Sequence, residues 1–131
     1  MEELFARILL GHLIGDFLLQ SKTMALRKSE KSLTGHLYCF IHCLVYTTSV
    51  SLMLWTANPF IIVLIFFSHW PIDRWSLADK WLKIIKGRDI VTAFYSQEKY
   101  QQIDLIFSCI VYMVVDNTIH LILLWLITFL I

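Results

Sequence analysis

The chain has 131 residues, 58% of them hydrophobic and 16% charged, with a formal net charge of +1 and a mean hydropathy of +0.68. Soluble domains are about 45–50% apolar and about 25% charged, so too little polar surface remains here to coat a water-soluble ball. That excludes a soluble enzyme, a disordered regulator and a secreted disulfide scaffold. The near-neutral balance points to no acidic partner, and no nucleic acid is expected among the partners.

The length suits a single domain, residues 1–131, and the bilayer is the solvent to reason in. The expected fold class is an all-α integral membrane protein: a four-transmembrane-helix bundle with one short interfacial amphipathic helix. A crossing needs about 20 mostly apolar residues, and the candidates fall at approximately residues 4–20, 33–57, 59–71 and 104–130. The first opens on Glu2 and Glu3, the reverse of a basic signal-peptide start, so no cleaved leader is expected.

Lys22, Arg27, Lys28 and Lys31 lie between the first two spans, and Lys80, Lys83, Lys86, Arg88 and Lys99 between the last two. The turn at Asn58-Pro59 carries no charge. Short basic loops stay in the cytoplasm, and two crossings separate them, so both termini are expected outside. Between about residues 72 and 86, Trp75, Ala78, Leu82 and Ile85 share a helical face while Asp79, Lys80, Lys83 and Lys86 lie around the turn, the pattern of an interfacial helix. Arg74 beside it reads as a snorkelling anchor or a phosphate ligand. Residues 89–103 read as a cytoplasmic connection. Cys39, Cys43 and Cys109 sit inside apolar stretches and are expected to be small buried hydrophobes rather than disulfide partners.

Each span also carries a polar face. His12, Asp16 and Gln20 are spaced by four in the first span; His36, Cys39, His42 and Tyr46 lie in the second; His69 and Asp73 are four apart in the third, with Pro71 between them expected to kink or end the helix; Ser108, Tyr112, Asp116 and His120 form a stripe in the fourth. A charge at membrane depth costs about 2.5–3.5 kcal/mol on insertion scales, so three carboxylates together cost on the order of 8–10 kcal/mol unless compensated. Antiparallel stacking at about 1.5 Å per residue brings these side chains to a common depth. Imidazole and carboxylate are ligands for zinc, manganese or iron, and a His-x-x-x-Asp step presents one nitrogen and one oxygen to a single point. Gly11 and Gly15 form a small-x-x-x-small pattern that lets a neighbouring helix approach.

At GHLIGDFLLQ, SHWPIDRW and VDNTIH the sequence resembles a family of small bacterial integral membrane proteins, the domain of unknown function 3307, over nearly its whole length. The family's pattern corresponds to His12, Asp16 and Gln20, to His69 and Asp73, and to Asp116 and His120, with His36 and His42 in the second span. At pattern level the chain is also similar to predicted membrane-bound metal-dependent hydrolases. The resemblance implies a bacterial inner (cytoplasmic) membrane and a metal site with hydrolytic chemistry.

The expected metal ligands are His12, Asp16, His69, Asp73, Asp116 and His120, holding one or two divalent ions, with zinc first and manganese or iron as alternatives. His42, then His36, would complete the shell or serve as general base. The expected reaction is metal-assisted hydrolysis of an ester or phosphoester of a membrane lipid or lipid-linked molecule. Two rivals stand beside it: a transporter or channel component moving a metal ion or proton through the same polar band, which four spans could serve as a homo-oligomer, and a non-catalytic protein whose polar network specifies packing. Haem between facing histidines would leave the aspartates unexplained.

Overall fold

A computed structural model describes residues 2–96 and 99–130. Its elements are α1 (Glu2–Leu13), running into a π-helical turn (Ile14–Leu18), α2 (Lys22–Arg27), α3 (Leu33–Leu54), α4 (Pro59–Arg74), α5 (Leu77–Lys86), α6 (Ile90–Tyr95) and α7 (Gln101–Thr128). No strand occurs among the described residues. The connection expected at 89–103 contains α6 and the start of α7, and its residues 97–98 lie outside the described ones.

Capping chemistry sets the helix ends. Ser32 Oγ accepts from the Gly35 amide at 2.9 Å and starts α3. Asn58 Oδ1 accepts from the Phe60 amide at 3.0 Å, and Pro59 takes the first helical position of α4, where its missing N–H costs nothing. The helix does not end at Pro71, one of the two outcomes expected there. The proline removes one donor, the partner of the Phe67 carbonyl, and α4 continues through it to Arg74. The chain turns later, at Ser76, whose φ of 47° is left-handed, and α5 leaves α4 at 57°. Residues 72–74 therefore complete α4 rather than open the interfacial helix. Of the apolar stripe expected there, Ala78 and Leu82 on α5 are buried while Ile85 on α5 and Trp75, at the end of α4, are exposed, so half of it is covered.

α1, α3, α4 and α7 touch in cyclic order and close a four-helix ring. Ile8, Val50, Leu54, Ile61, Ile65, Leu124 and Ile127 fill one end of it. The Gly11–Gly15 pattern does what its spacing suggests. A Cβ at Gly11 would lie 2.9 Å from Val50 Cα, and one at Gly15 would lie 2.8 Å from Tyr46 Cδ2 and 3.0 Å from Tyr46 Cα, so α1 lies directly against the α3 backbone. The outside is apolar: Leu10, Phe17, Leu37, Phe67, Ile106 and Trp125 are all exposed. Cys39 and Cys43 are buried as expected; Cys109 is not, because it faces outward from α7.

By length and composition, α3 and α7 can cross a membrane, and the bent pair α4–α5 makes a third crossing if it counts as one span. By that measure two or three of the four expected crossings are found among the described residues. The reason is length: α1 gives way to the π turn after twelve residues, and α4 has sixteen.

Candidate metal centre

The π turn decides where the first carboxylate points. An extra residue in the turn widens it locally, a distortion that often accompanies functional sites, and Asp16 sits in its middle. Asp16 Oδ2 lies 3.2 Å from His12 Nδ1 on the same strip of helix, while Oδ1 reaches across to His42 Nε2 at 3.1 Å and His69 Nε2 at 3.6 Å. From α4, Asp73 Oδ2 lies 3.0 Å from His69 Nε2, one turn earlier, and 2.9 Å from His42 Nε2 on α3. His42 Nε2 and His69 Nε2 are themselves 3.0 Å apart. Nε2 of His42 and Nε2 of His69 thus face the same two carboxylate oxygens, and His12, His42, His69, Asp73 and His120 are all buried there.

One proton cannot satisfy this arrangement. His42 Nε2 carries at most one hydrogen, yet four atoms face it at 2.9–3.1 Å, from Asp16, Asp73, His69 and Gln20. Asp16 Oδ1, Asp73 Oδ2 and His120 Nε2 are buried with no hydrogen-bond partner. Orphaned buried acceptors are costly, and a cation shared among them would remove the cost. The spacing around the two nitrogens is compatible: tetrahedral zinc with bonds of about 2.0–2.1 Å has ligand–ligand edges of about 3.3 Å, against 2.9–3.6 Å for the nitrogen–nitrogen and nitrogen–oxygen separations here. Two overlapping triads have ligand atoms within 4.8 Å of one another, Asp16–His42–His69 and His69–Asp73–His120, with His69 common to both.

The surroundings hold the rings in place. His69 stacks on Tyr46 with centroids 3.6 Å apart, and its Nδ1 lies 3.0 Å from His120 Nδ1. His12 meets the Tyr46 hydroxyl at 3.1 Å through Nδ1 and the Asn117 side-chain oxygen at 2.7 Å through Nε2. Gln20, oriented so that its amide nitrogen donates to the Asp16 carbonyl at 3.2 Å, turns its oxygen to Lys28 Nζ at 3.0 Å and to the His42 ring. Lys28 Nζ also donates to Asp73 Oδ1 at 2.8 Å. Burial works against the Lys28 charge, but Asp73 beside it outweighs this and holds the ammonium above the usual lysine range. Asp16, Asp73 and Asp116 against Lys28 leave a formal charge of −3 + 1 = −2, which one divalent ion would cancel.

Not every expected ligand joins the cluster. Asp16, His69, Asp73, His120 and His42 do, His42 as a central member. His12 is at its rim, bonded to Asp16, Tyr46 and Asn117. Asp116 stands back, its Oδ2 lying 3.9 Å from His120 Nε2. His36 lies outside the cluster: it is exposed and lies 3.0 Å from Arg74 Nη2. Six residues separate it from His42, about 600° of helix, so the two rings point about 120° apart.

Lys28 and Asn117 were absent from the expected set, while Tyr46 and Gln20 lay on polar faces without a role. Asn117 carried a signal, adjacency to Asp116 on the polar side of α7. Lys28 carried none, because only the return of the α2–α3 connection brings it over Asp73. Arg74, expected as an anchor or a phosphate ligand, also ties the chain to itself: Nη1 donates to the carbonyls of Glu30 at 2.7 Å and Lys28 at 3.3 Å, pinning that same connection.

A cavity of about 210 Å³ opens onto the cluster and is lined by Asp16, Gln20, Lys28, Tyr112, Asp116 and Asn117, with Phe17 and Met113 on its apolar wall. The family described as "Protein of unknown function (DUF3307)" matches residues 4–131, and the chain belongs to it. No curated protein and no solved structure matches the chain.

Proposed function

We propose that this DUF3307 member is a multi-pass membrane protein that binds one divalent transition metal, zinc first and manganese or iron as alternatives, and hydrolyses an ester or phosphoester of a membrane lipid or lipid-linked substrate. The observation that carries the metal reading is the meeting of His42 Nε2, His69 Nε2, Asp16 Oδ1 and Asp73 Oδ2 at 2.9–3.6 Å, with both oxygens otherwise unpartnered. Those four side chains would hold the ion, with His120 and His12 next to it. Such an ion supplies Lewis acidity and makes water a nucleophile near neutral pH.

The protein's own groups divide the remaining work. Lys28 lies on the cavity wall beside the cluster and would orient an anionic or carbonyl oxygen. Asp116 lines the same wall without a short bond of its own, free to take a proton from water, the task assigned from sequence to His42 and His36. Phe17 and Met113 suit an acyl or prenyl chain.

In this reading all four ring helices cross a bacterial inner membrane, with the basic connections cytoplasmic and both termini periplasmic. At 1.5 Å per residue, α1 with its π turn and α4 span about 24–26 Å, short of the roughly 30 Å core, a mismatch that local thinning accommodates. The apolar exterior of the ring supports it. One observation favours a second reading. His42, His69 and His120 are linked through both nitrogens of His69 at 3.0 Å each, a line along which protons could pass in a transporter, for which a homo-oligomer would supply the assembly.

The test is metal analysis of protein purified without chelator. We expect about one equivalent of a transition metal, lost in Asp16→Ala and His69→Ala; less than about a tenth of an equivalent in the unaltered protein would overturn the reading. Turnover of a lipid ester without ion flux in proteoliposomes separates the hydrolase from the transporter.

A further inference from the structure

A second polar cavity, about 810 Å³, lies between the α2–α3 connection and the α4–α5 bend. Its lining includes Lys31, His36, Arg74, Asp79, Lys80 and Lys83. With His36 neutral, four cations and one carboxylate give a formal charge of +4 − 1 = +3. The carboxylate is already engaged, since Lys83 Nζ lies 3.1 Å from Asp79. Among the described residues, Lys31, Lys80 and Arg74 have no carboxylate within 4.0 Å.

Arg74 is the telling group. It is 8% exposed, its Nη1 donates to two backbone carbonyls and its Nη2 faces His36 Nε2 at 3.0 Å. Neutral acceptors satisfy its geometry but not its charge, and a buried charge without a counter-ion is costly. The cavity beside it is where a counter-ion fits. Trp75 on the same lining is exposed, and Trp81 and Ile84 on α5 are exposed too; aromatic and aliphatic side chains next to cations mark headgroup depth.

We propose that this cavity binds a phosphate-bearing anion, with Arg74 as the buried charge and Lys31 and Lys80 as mobile donors at its rim. The headgroup of an anionic lipid and free phosphate share that chemistry, and the cavity shares no lining residue with the one at the metal centre.

The experiment uses the full chain in neutral detergent and measures binding of short-chain phosphatidylglycerol, short-chain phosphatidylcholine and inorganic phosphate. Phosphatidylglycerol is expected to bind saturably, and the Lys31→Ser/Lys80→Ser variant, altered only at exposed positions, is expected to bind it about tenfold more weakly, in line with the weight of lysines at an anionic surface. Arg74→Lys keeps the charge but loses the two-carbonyl fork, and is expected to weaken binding while the double variant retains its helicity. Inorganic phosphate binding as tightly as phosphatidylglycerol, and weakened alike by the double variant, supports the anion site and assigns it to free phosphate. Equal binding of phosphatidylcholine, an unaffected double variant, or no saturable binding of either anion overturns the proposal.

Discussion

His42 and His36 show how much a single rotation decides. Both are histidines of one helix, and the rotation of about 120° and rise of about 9 Å between them separate a buried cluster member from an exposed partner of Arg74. His42→Ala is therefore expected to abolish metal retention and His36→Ala to leave it unchanged, as read by plasma mass spectrometry of the purified variants; loss in both would mean that α3 is rotated from the orientation described. The i, i+4 pairs, His12–Asp16 and His69–Asp73, were legible because their geometry is internal to one helix. Lys28 was not, because its place over Asp73 depends on a fold-level return of the chain.

Helix contacts depend on a few small side chains. Gly15 lets α1 rest on Tyr46, the ring that also stacks on His69. A methyl group there meets backbone as well as ring, so Gly15→Ala is expected to destabilise the protein by about 1–3 kcal/mol despite the better helix propensity of alanine, measured by thermal unfolding in detergent. At the α4–α5 bend, Ser76 holds a left-handed φ of 47° without a side-chain capping bond. Ser76→Gly is expected to stabilise by about 1 kcal/mol, the usual cost of that conformation for a residue with a Cβ. The sequence signalled a break near this point but put it at Pro71. A proline inside a helix removes one bond, and here the tertiary contacts of α4 with α3 and α7 carry the helix past it. At α6, slight desolvation opposes the Asp89 charge, but the Val91 amide and Lys83 outweigh it and hold its carboxyl below the ordinary value. A depressed folded value means that this cap stabilises α6 above about pH 4 and is lost as pH falls below it; hydrogen exchange of the α6 amides should rise, relative to their intrinsic rates, only in that acid range.

At the scale of the whole molecule, composition announced the apolar exterior, and the polar stripes announced a shared interior; α1, α3, α4 and α7 close around it. Span number was less legible, because hydropathy does not mark where α1 distorts into its π turn or where α4 bends into α5. The central claim is that carboxylates and imidazoles from three helices hold one cation. X-ray absorption of the metal-loaded protein tests this most directly. A first shell of nitrogen and oxygen alone at about 2.0–2.2 Å, with the outer-shell scattering of histidine rings, is the expected spectrum. A sulfur contact at about 2.3 Å, which would put Cys39 or Cys43 in place of Asp16 and Asp73, would contradict the account.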